Sequence, residues 1–277
     1  MDAEGTAARG TTEPGLEGFE FDRATAVEPA GDGRWRAEIR PEWTVGLAPN
    51  GGYVLAVALA ALSRSLPHPD PFAVSAHFVS KTDPGPADVV VEVVRTGVGV
   101  STGTARLVQG RRTRALVTGT YGDLSAIEGP TAVRGEPPDV PPPDACVKVE
   151  GPATPEFVKR FDLRLTDESV AWARTAPSGV AEMLGWIRFV DGRPPDSASL
   201  PMFADAFPPS SFNVVPSLWV PTLELTVHVR ARPSPGWLRC RFQTRYLIDG
   251  YLEEDGELWD EGGRLVALSR QMARIQT

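Results

Sequence analysis

The chain has 277 residues, 42% of them hydrophobic and 23% charged, which is enough to bury a core without help from disulfides or metal ions. Its 28 Lys and Arg against 36 Asp and Glu give a net charge of −8, which disfavours nucleic acid as a partner because phosphate contacts need clustered cations. No apolar run approaches the roughly 20 residues of a membrane span, and Cys146 and Cys240 are the only cysteines. We therefore expect a cytoplasmic protein with no membrane partner, metal ion or cofactor.

The first half of the chain predicts one long buried helix among strands. Residues 1–18 are polar and predict a flexible tail. Asn50 is a suitable N-cap for a helix over 53–65, and because that segment is apolar nearly all round, other elements should wrap it. Strands are predicted by the alternation of side chains over 33–40, 73–80, 87–95, 104–109 and 112–121.

The second half follows a proline-rich segment. Residues 136–155 contain seven prolines and cannot form a regular helix or a central strand. We therefore expect a tail over 1–18, a first unit over 19–124, a linker over 125–156 and a second unit over 157–277. In the second unit the pattern predicts a short helix over 198–207 and strands over 161–166, 222–230, 238–247, 251–259 and 264–274.

The two halves show an internal repeat. His77 and His228 precede matching Pro-Gly turns at an offset of 151 residues, and the offset stays nearly constant through the following strands. This regularity predicts a duplicated unit of one helix and about five strands, with the two copies sharing a continuous sheet. The two histidines occupy equivalent strand positions, which favours a role in packing or subunit contact over a catalytic role. The histidines are also too scattered along the chain for a zinc site.

Two segments resemble chemical motifs. Residues 99–103 fit G-x-S-x-G around Ser101, but a nucleophile elbow needs a helix after the serine, and the following residues alternate as a strand. Asn50, Gly51 and Gly52 stand at a helix start, where free N–H groups could polarise a substrate carbonyl. Two interpretations stay open there: an oxyanion site, or an ordinary capped helix with glycines for close packing.

Several short motifs occur in a familiar order along the chain. They are PNGGYVLA at 49–56, AHF at 76–78, ADAF at 204–207, PTLE at 221–224 and LVALSRQ at 265–271. In this order they resemble the acyl-CoA thioesterase II (TesB-like) family, in particular its actinobacterial members, over residues 19–276. The resemblance implies an α+β double hotdog fold, in which each of two tandem repeats wraps an antiparallel sheet around a central helix.

The resemblance also implies catalytic residues and a substrate. The family's Asp, Thr and Gln fall on Asp205, Thr222 and Gln271, with Thr226 as the alternative threonine. Asp205 would activate a water molecule that Thr222 and Gln271 hold against the thioester of an acyl-CoA. The matching first-half positions are Leu55, Pro71 and Gly119, so one half alone should carry the chemistry.

Other residues receive weaker assignments. Phe212 and Trp219 are predicted to line the acyl tunnel beside the helix start at Asn50, Gly51 and Gly52. Arg111, Arg112 and Arg114 form the densest basic cluster, which suits either CoA phosphates or a solvated strand end. The resemblance to this family and the exposed edges expected of such a sheet favour a homodimer or a larger assembly.

Two other functions compete with hydrolysis. The first is a non-catalytic hotdog protein that binds acyl groups or acyl-CoA. The second is a hotdog hydratase or dehydratase, which the lack of a histidine near Asp205 or Asn50 in sequence disfavours.

Overall fold

The computed structural model describes residues 18–174, 176–215 and 219–276. Residues 1–17 of the predicted tail lie outside these ranges. The α-helices are α1 (Glu20–Ala24), α2 (Gly51–Ser65) and α3 (Leu200–Phe203). The first-half strands are β1 (Val27–Gly31), β2 (Arg34–Ile39), β3 (Thr44–Val45), β4 (Ala48–Pro49), β5 (Asp70–Phe78), β6 (Gly85–Thr96), β7 (Ser101–Gln109) and β8 (Arg112–Gly122). The second-half strands are β9 (Val147–Lys148), β10 (Phe161–Leu165), β11 (Glu182–Phe189), β12 (Thr222–Val229), β13 (Leu238–Gln243), β14 (Leu247–Ile248), β15 (Tyr251–Asp260) and β16 (Leu265–Arg274).

One antiparallel sheet runs through both halves. Its order is β1-β2-β6-β7-β8-β5-β12-β16-β15-β13-β11-β10-β9, and β14 pairs with β15. The first-half strands occupy one side and the second-half strands the other, so β5 and β12 form the junction. The fold is the double hotdog that the sequence predicted.

The junction lies on the axis that relates the two repeats. An offset of 151 residues makes Ser75 the counterpart of Thr226, and these two residues lie directly opposite each other in the β5–β12 register. The Thr226 hydroxyl lies 3.0 Å from the Ser75 hydroxyl. The offset read from the sequence thus locates the pseudo-two-fold axis between these two side chains.

Helix α2 fills the concave side of the first-half sheet. Asn50 caps it as predicted, because its Oδ1 accepts a hydrogen bond from the Tyr53 amide at 3.0 Å. Most of its side chains are buried, including Leu62, and burying a leucine contributes roughly 1.5–3 kcal/mol. Leu62 packs over Gly103 and Gly119, where an added Cβ would lie 2.9 Å and 3.3 Å from its methyl groups.

Among the described residues of the second half, no helix is equivalent to α2. The predicted helix over 198–207 is wrong in length, because α3 has only four residues, Leu200–Phe203. The Asp196 carboxylate accepts from the Ser199 amide, and the Ser199 hydroxyl accepts from the Asp196 amide, which starts the turn. The turn ends at Phe203, with Ala204 as its C-cap.

The elements that differ from the sequence prediction include β9, β11 and α1. The proline-rich segment contributes the edge strand β9, and β11 was not predicted. Gly185 interrupts the apolar pattern of β11, and it is required there because a Cβ would lie 2.1 Å from the Arg164 carbonyl oxygen. Helix α1 was also not predicted. An ion pair of 2.8 Å between Asp22 of α1 and the buried Arg193 holds this helix against the second half. In the described ranges, every helix is too short or too polar to cross a membrane.

Candidate active site

The N-terminus of α2 and Asp205, two residues after α3, meet where the two halves join. Asp205 Oδ2 accepts a hydrogen bond of 2.6 Å from the Gly52 amide and one of 3.1 Å from Asn50 Nδ2. The same Asn50 Nδ2 donates to the Asp205 carbonyl at 2.9 Å. The first half therefore fixes a carboxylate of the second half at a helix N-terminus, which favours negative charge.

Glycines make this close approach feasible. A Cβ on Gly52 would lie 2.8 Å from Asp205 Cβ and 3.1 Å from the Met202 carbonyl oxygen. A Cβ on Gly51 would lie 3.0 Å from Asp205 Oδ2 and 3.0 Å from the Phe78 ring. The Gly-Gly pair at the start of α2 thus makes room for Asp205.

The environment of Asp205 changes its acidity. Burial raises its pKa from 3.8 to about 7, and the nearby Glu254 carboxylate adds to the rise. The hydrogen bonds from the Gly52 amide and the Asn50 side chain act in the opposite direction. A carboxyl group that titrates near neutral pH is suited to accept a proton from water and return it.

A second polar cluster lines the neighbouring strands of the second half. The Thr222 hydroxyl donates to Gln271 Oε1 at 2.7 Å, and Gln271 Nε2 donates to Glu254 Oε1 at 2.7 Å. Glu254 and Gln271 lie directly opposite each other on β15 and β16. Two of the three residues assigned from the resemblance, Thr222 and Gln271, are therefore in direct contact.

A β-bulge orients Thr222 toward the interior. The register of β12 against β16 shifts between Thr222 and Glu224, so Thr222 lies opposite Ala273 and Leu225 opposite Gln271. The extra residue places Thr222 on the same inner face as Leu225, although simple alternation would place it outside. Thr226, the alternative threonine, lies on the outer face and donates to Glu224 Oε1 at 2.6 Å. The structure therefore places Thr222, rather than Thr226, in contact with Gln271.

Sequence reasoning missed Glu254. Its side chain is 4% exposed, and its Oε2 accepts a 2.7 Å hydrogen bond from the Ser210 amide. Burial raises its pKa, against the effect of hydrogen bonds from Ser210 and Gln271. The signal was present, because Glu254 lies in the buried phase of β15, between the inward apolar residues Leu252 and Leu258.

The family assignment follows from two matches. The family description "Acyl-CoA thioesterase N-terminal domain" matches residues 39–122, and "Acyl-CoA thioesterase C-terminal domain" matches residues 136–275. The chain belongs to the acyl-CoA thioesterase family. The two matched ranges lie on the two halves of the sheet, and the site described above is built from both.

Individual relatives agree with this assignment. A solved structure from Thermobifida fusca, described as a candidate thioesterase II, is 33% identical, with a TM-score of 0.87 over 94% of this chain and 98% of that chain. The thioesterase-like protein TwmA of Talaromyces wortmannii is 27% identical over 92% of this chain and 91% of that protein. A hotdog-fold protein from Alicyclobacillus acidocaldarius, 24% identical with a TM-score of 0.84 over 93% of this chain and 98% of that chain, shares the fold.

In this thioesterase-family chain, the predicted oxyanion donors have separate roles. The Gly52 amide is occupied by Asp205, so it is not free for a substrate carbonyl. Asn50 also holds Asp205, through its Nδ2. Within the described part of the chain, the Gly51 amide donates to no other protein group. Gly51 is therefore the member of the predicted set that could bind an oxyanion.

The predicted tunnel residues, Phe212 and Trp219, each contact another part of the chain. Phe212 packs on Trp172 with ring centroids 4.8 Å apart. Trp219 forms an isolated bridge with Gln276 just before β12. Their role in lining an acyl tunnel stays a prediction, and residues 216–218 between them lie outside the described ranges.

A cleft of about 440 Å³ lies beside the Glu254 cluster. Val180, Val214, Thr244 and Leu247 are among its lining residues. The Thr244 hydroxyl accepts a 2.9 Å hydrogen bond from Ser210, whose amide binds Glu254. The cleft thus adjoins the polar cluster through two hydrogen-bonded residues.

The remaining candidates lie outside this cluster. His77 and His228 are exposed on the outer face of the sheet. The Ser101 hydroxyl is buried at the start of β7 and lies 2.8 Å from His68 Nδ1, so its local structure is not a strand–turn–helix elbow. In the basic cluster, Arg114 pairs with Asp83 at 3.2 Å. Among the described residues, no His, Cys, Asp and Glu side chains group as a metal site requires.

Proposed function

We propose that the protein hydrolyses an acyl-CoA thioester to a free acid and CoA, with Asp205 as the general base. The observation that carries the proposal is the Asp205 carboxylate, held at the N-terminus of α2 with a pKa of about 7. Family membership supplies the reaction class, and the contact between Thr222 and Gln271 supplies polar groups to orient a water molecule.

The first step is the attack of water on the thioester carbonyl. The water oxygen forms a bond to the carbonyl carbon while Asp205 takes one proton from the water. General-base help of this kind contributes about 10²–10⁴-fold. The Thr222 hydroxyl gives its own proton to Gln271 Oε1, so its free lone pairs are suited to accept a hydrogen bond from the attacking water.

The second step is the collapse of the tetrahedral intermediate. Its oxyanion is stabilised by the amide of Gly51 at the positive end of α2. When the carbonyl reforms, the carbon–sulfur bond breaks and CoA leaves as a thiolate. Asp205 then returns its proton to the sulfur, so the carboxylate is regenerated and no covalent acyl-enzyme is formed.

A hydratase or dehydratase function lacks support from the side chains of this site. That chemistry needs a histidine as an acid or base, whereas His77 and His228 are exposed on the outer face and His68 binds Ser101. The dehydratase domain of PpsC from Mycobacterium tuberculosis is only 16% identical, with a TM-score of 0.52, and shares the fold alone. We therefore place hydrolysis first.

The test is thiol release from a panel of acyl-CoAs of increasing chain length, by wild type and Asp205→Asn. We expect release by wild type and a loss of at least about 10²-fold in kcat for the variant. Glu257→Gln removes a carboxylate from the outer phase of β15 and is the matched control. A protein that binds acyl-CoA but releases no thiol would be the non-catalytic binder, and equal release by wild type and Asp205→Asn would contradict the role of Asp205.

A further inference from the structure

Glu254 is a buried carboxylate that the family's three catalytic residues do not include. It faces Gln271 across β15 and β16, accepts from Gln271 Nε2 at 2.7 Å, and accepts from the Ser210 amide at 2.7 Å. Its negative charge also adds to the raised pKa of Asp205. A buried carboxylate is costly unless it is hydrogen-bonded, so its presence in an apolar strand face requires an explanation.

We infer that Glu254 is a positioning residue of the proposed thioesterase site, which locks the side-chain amide of Gln271 in one orientation and holds a negative charge beside Asp205. This inference rests on the proposed function. An ionised carboxylate only accepts hydrogen bonds, so it forces Gln271 to present Nε2 to Glu254 and Oε1 to Thr222. Thr222 must then donate to Gln271, which leaves its oxygen lone pairs for water.

The repeat supports a dedicated role for the Glu254–Gln271 pair. Its first-half counterpart is Gly103 opposite Gly119 on β7 and β8, at offsets of 151 and 152 residues. There Leu62 of the long helix α2 packs over the two glycines. In the second half, where α3 is a single turn, a polar pair occupies the same cross-strand position.

Among the described residues, few charged groups act on Asp205 and Glu254. Among the described residues, Glu254 is the one charged group that acts on Asp205, whose other polar neighbours are Gly52 and Asn50. Glu254 itself is bound by Ser210 and Gln271 and is influenced by Asp255 on its own strand. Removal of the Glu254 charge should therefore make Asp205 easier to ionise.

The experiment separates geometry from charge with two variants of the full-length enzyme. Glu254→Gln removes the charge and keeps the shape, whereas Gln271→Met removes the amide and leaves the Glu254 charge in place. Glu257→Gln, on the outer phase of the same strand, is the control. The readouts are kcat, KM and the pH profile of thiol release, together with the titration of Asp205 by NMR of carboxyl-labelled aspartate, whose signal is assigned with Asp205→Asn.

For Glu254→Gln we expect kcat to fall about tenfold or more with KM changed less than about threefold, because orientation rather than binding is lost. We also expect the Asp205 titration to move to lower pH by about one unit. Gln271→Met should lower kcat to a similar extent and leave the Asp205 titration in place. Glu254→Met, which is also uncharged and similar in volume, gives the same titration test if the Gln variant does not fold.

An unmoved Asp205 titration in both Glu254 variants would overturn the inference, whatever happens to kcat. A change in KM alone would overturn it as well, since that is the result of lost substrate binding. The NMR titration does not require turnover. Failure of wild type to release thiol, with the Asp205 titration still shifted in Glu254→Gln, would therefore reject the proposed function and leave the link between the two carboxylates standing.

Discussion

Replacing Asp205 by Asn should stabilise the fold at alkaline pH while it removes the catalytic base. The native structure raises the pKa of this carboxyl from 3.8 to about 7, mainly by burial. Three units correspond to about 4 kcal/mol, and contact of the side chain with solvent reduces the expected effect to about 2–4 kcal/mol. The amide of an Asn can still accept from the Gly52 amide and Asn50 Nδ2, so the local hydrogen bonds survive the change.

The sign follows from which state binds the proton more tightly. The folded protein favours the neutral carboxyl, so the contribution of Asp205 to stability is fully present below about pH 4 and is lost as pH rises through 7. Asp205→Asn is neutral throughout. The difference in free energy of unfolding between variant and wild type should therefore be small at pH 4 and reach its maximum above pH 8.

Urea unfolding of both proteins at a series of pH values from 4 to 9 measures this difference. Glu257→Gln removes a carboxylate from the outer phase of β15, and we expect it to change stability by less than about 0.5 kcal/mol at every pH. A difference for Asp205→Asn that is independent of pH, or that has the opposite sign at pH 8.5, would refute the reasoning that burial at the start of α2 holds this carboxyl neutral.

Four further predictions follow from the same geometry. The acid limb of kcat/KM for thiol release should lie near pH 7, the pKa of Asp205, and a limb near pH 4 would exclude this residue as the base. Gly52→Ala places a Cβ 2.8 Å from Asp205 Cβ, so kcat should fall at least about 100-fold in steady-state assays. Thr222→Val should lower kcat about 10-fold or more, whereas Thr226→Val, on the outer face, should change it less than about twofold. Leu62→Ala should lower the free energy of unfolding in urea by about 2–5 kcal/mol, because α2 is enclosed by the sheet.

Much of the fold was accessible from the sequence because its signals are local. The apolar run after Asn50 predicted α2 and its cap, and the repeat offset predicted the continuous sheet, in which Ser75 and Thr226 lie opposite each other. β11 was missed because Gly185 breaks its pattern, and the strand exists only through its pairing with β10 and β13. The length of α3 depends on how the chain turns after Phe203, which no local pattern of apolar residues reports.

The candidate site was less accessible because it depends on contacts between distant residues. The resemblance supplied Asp205, Thr222 and Gln271, and these assignments stay predictions until activity is measured. Whether Thr222 or Thr226 faces inward depends on a β-bulge, which shifts the alternation of inward and outward side chains by one residue. The amino-acid sequence contains no pattern that predicts this bulge. Neither could sequence spacing show that the Gly52 amide binds Asp205, a residue 153 positions away.

The asymmetry between the two halves explains why one site is built from both of them. In the first half, Leu62 of α2 packs over Gly103 and Gly119, so that half has no room for polar groups at this position. In the second half, the single turn of α3 brings Asp205 to the N-terminus of α2, which supplies the hydrogen bonds that hold it. Each half alone therefore lacks something: the first has the helix N-terminus without a carboxylate, and the second has the carboxylate without the amides that bind it. A duplicated chain with one helix lengthened for packing and the other shortened can support a single site only at the junction, and there the structure brings Asp205 and Gly52 together.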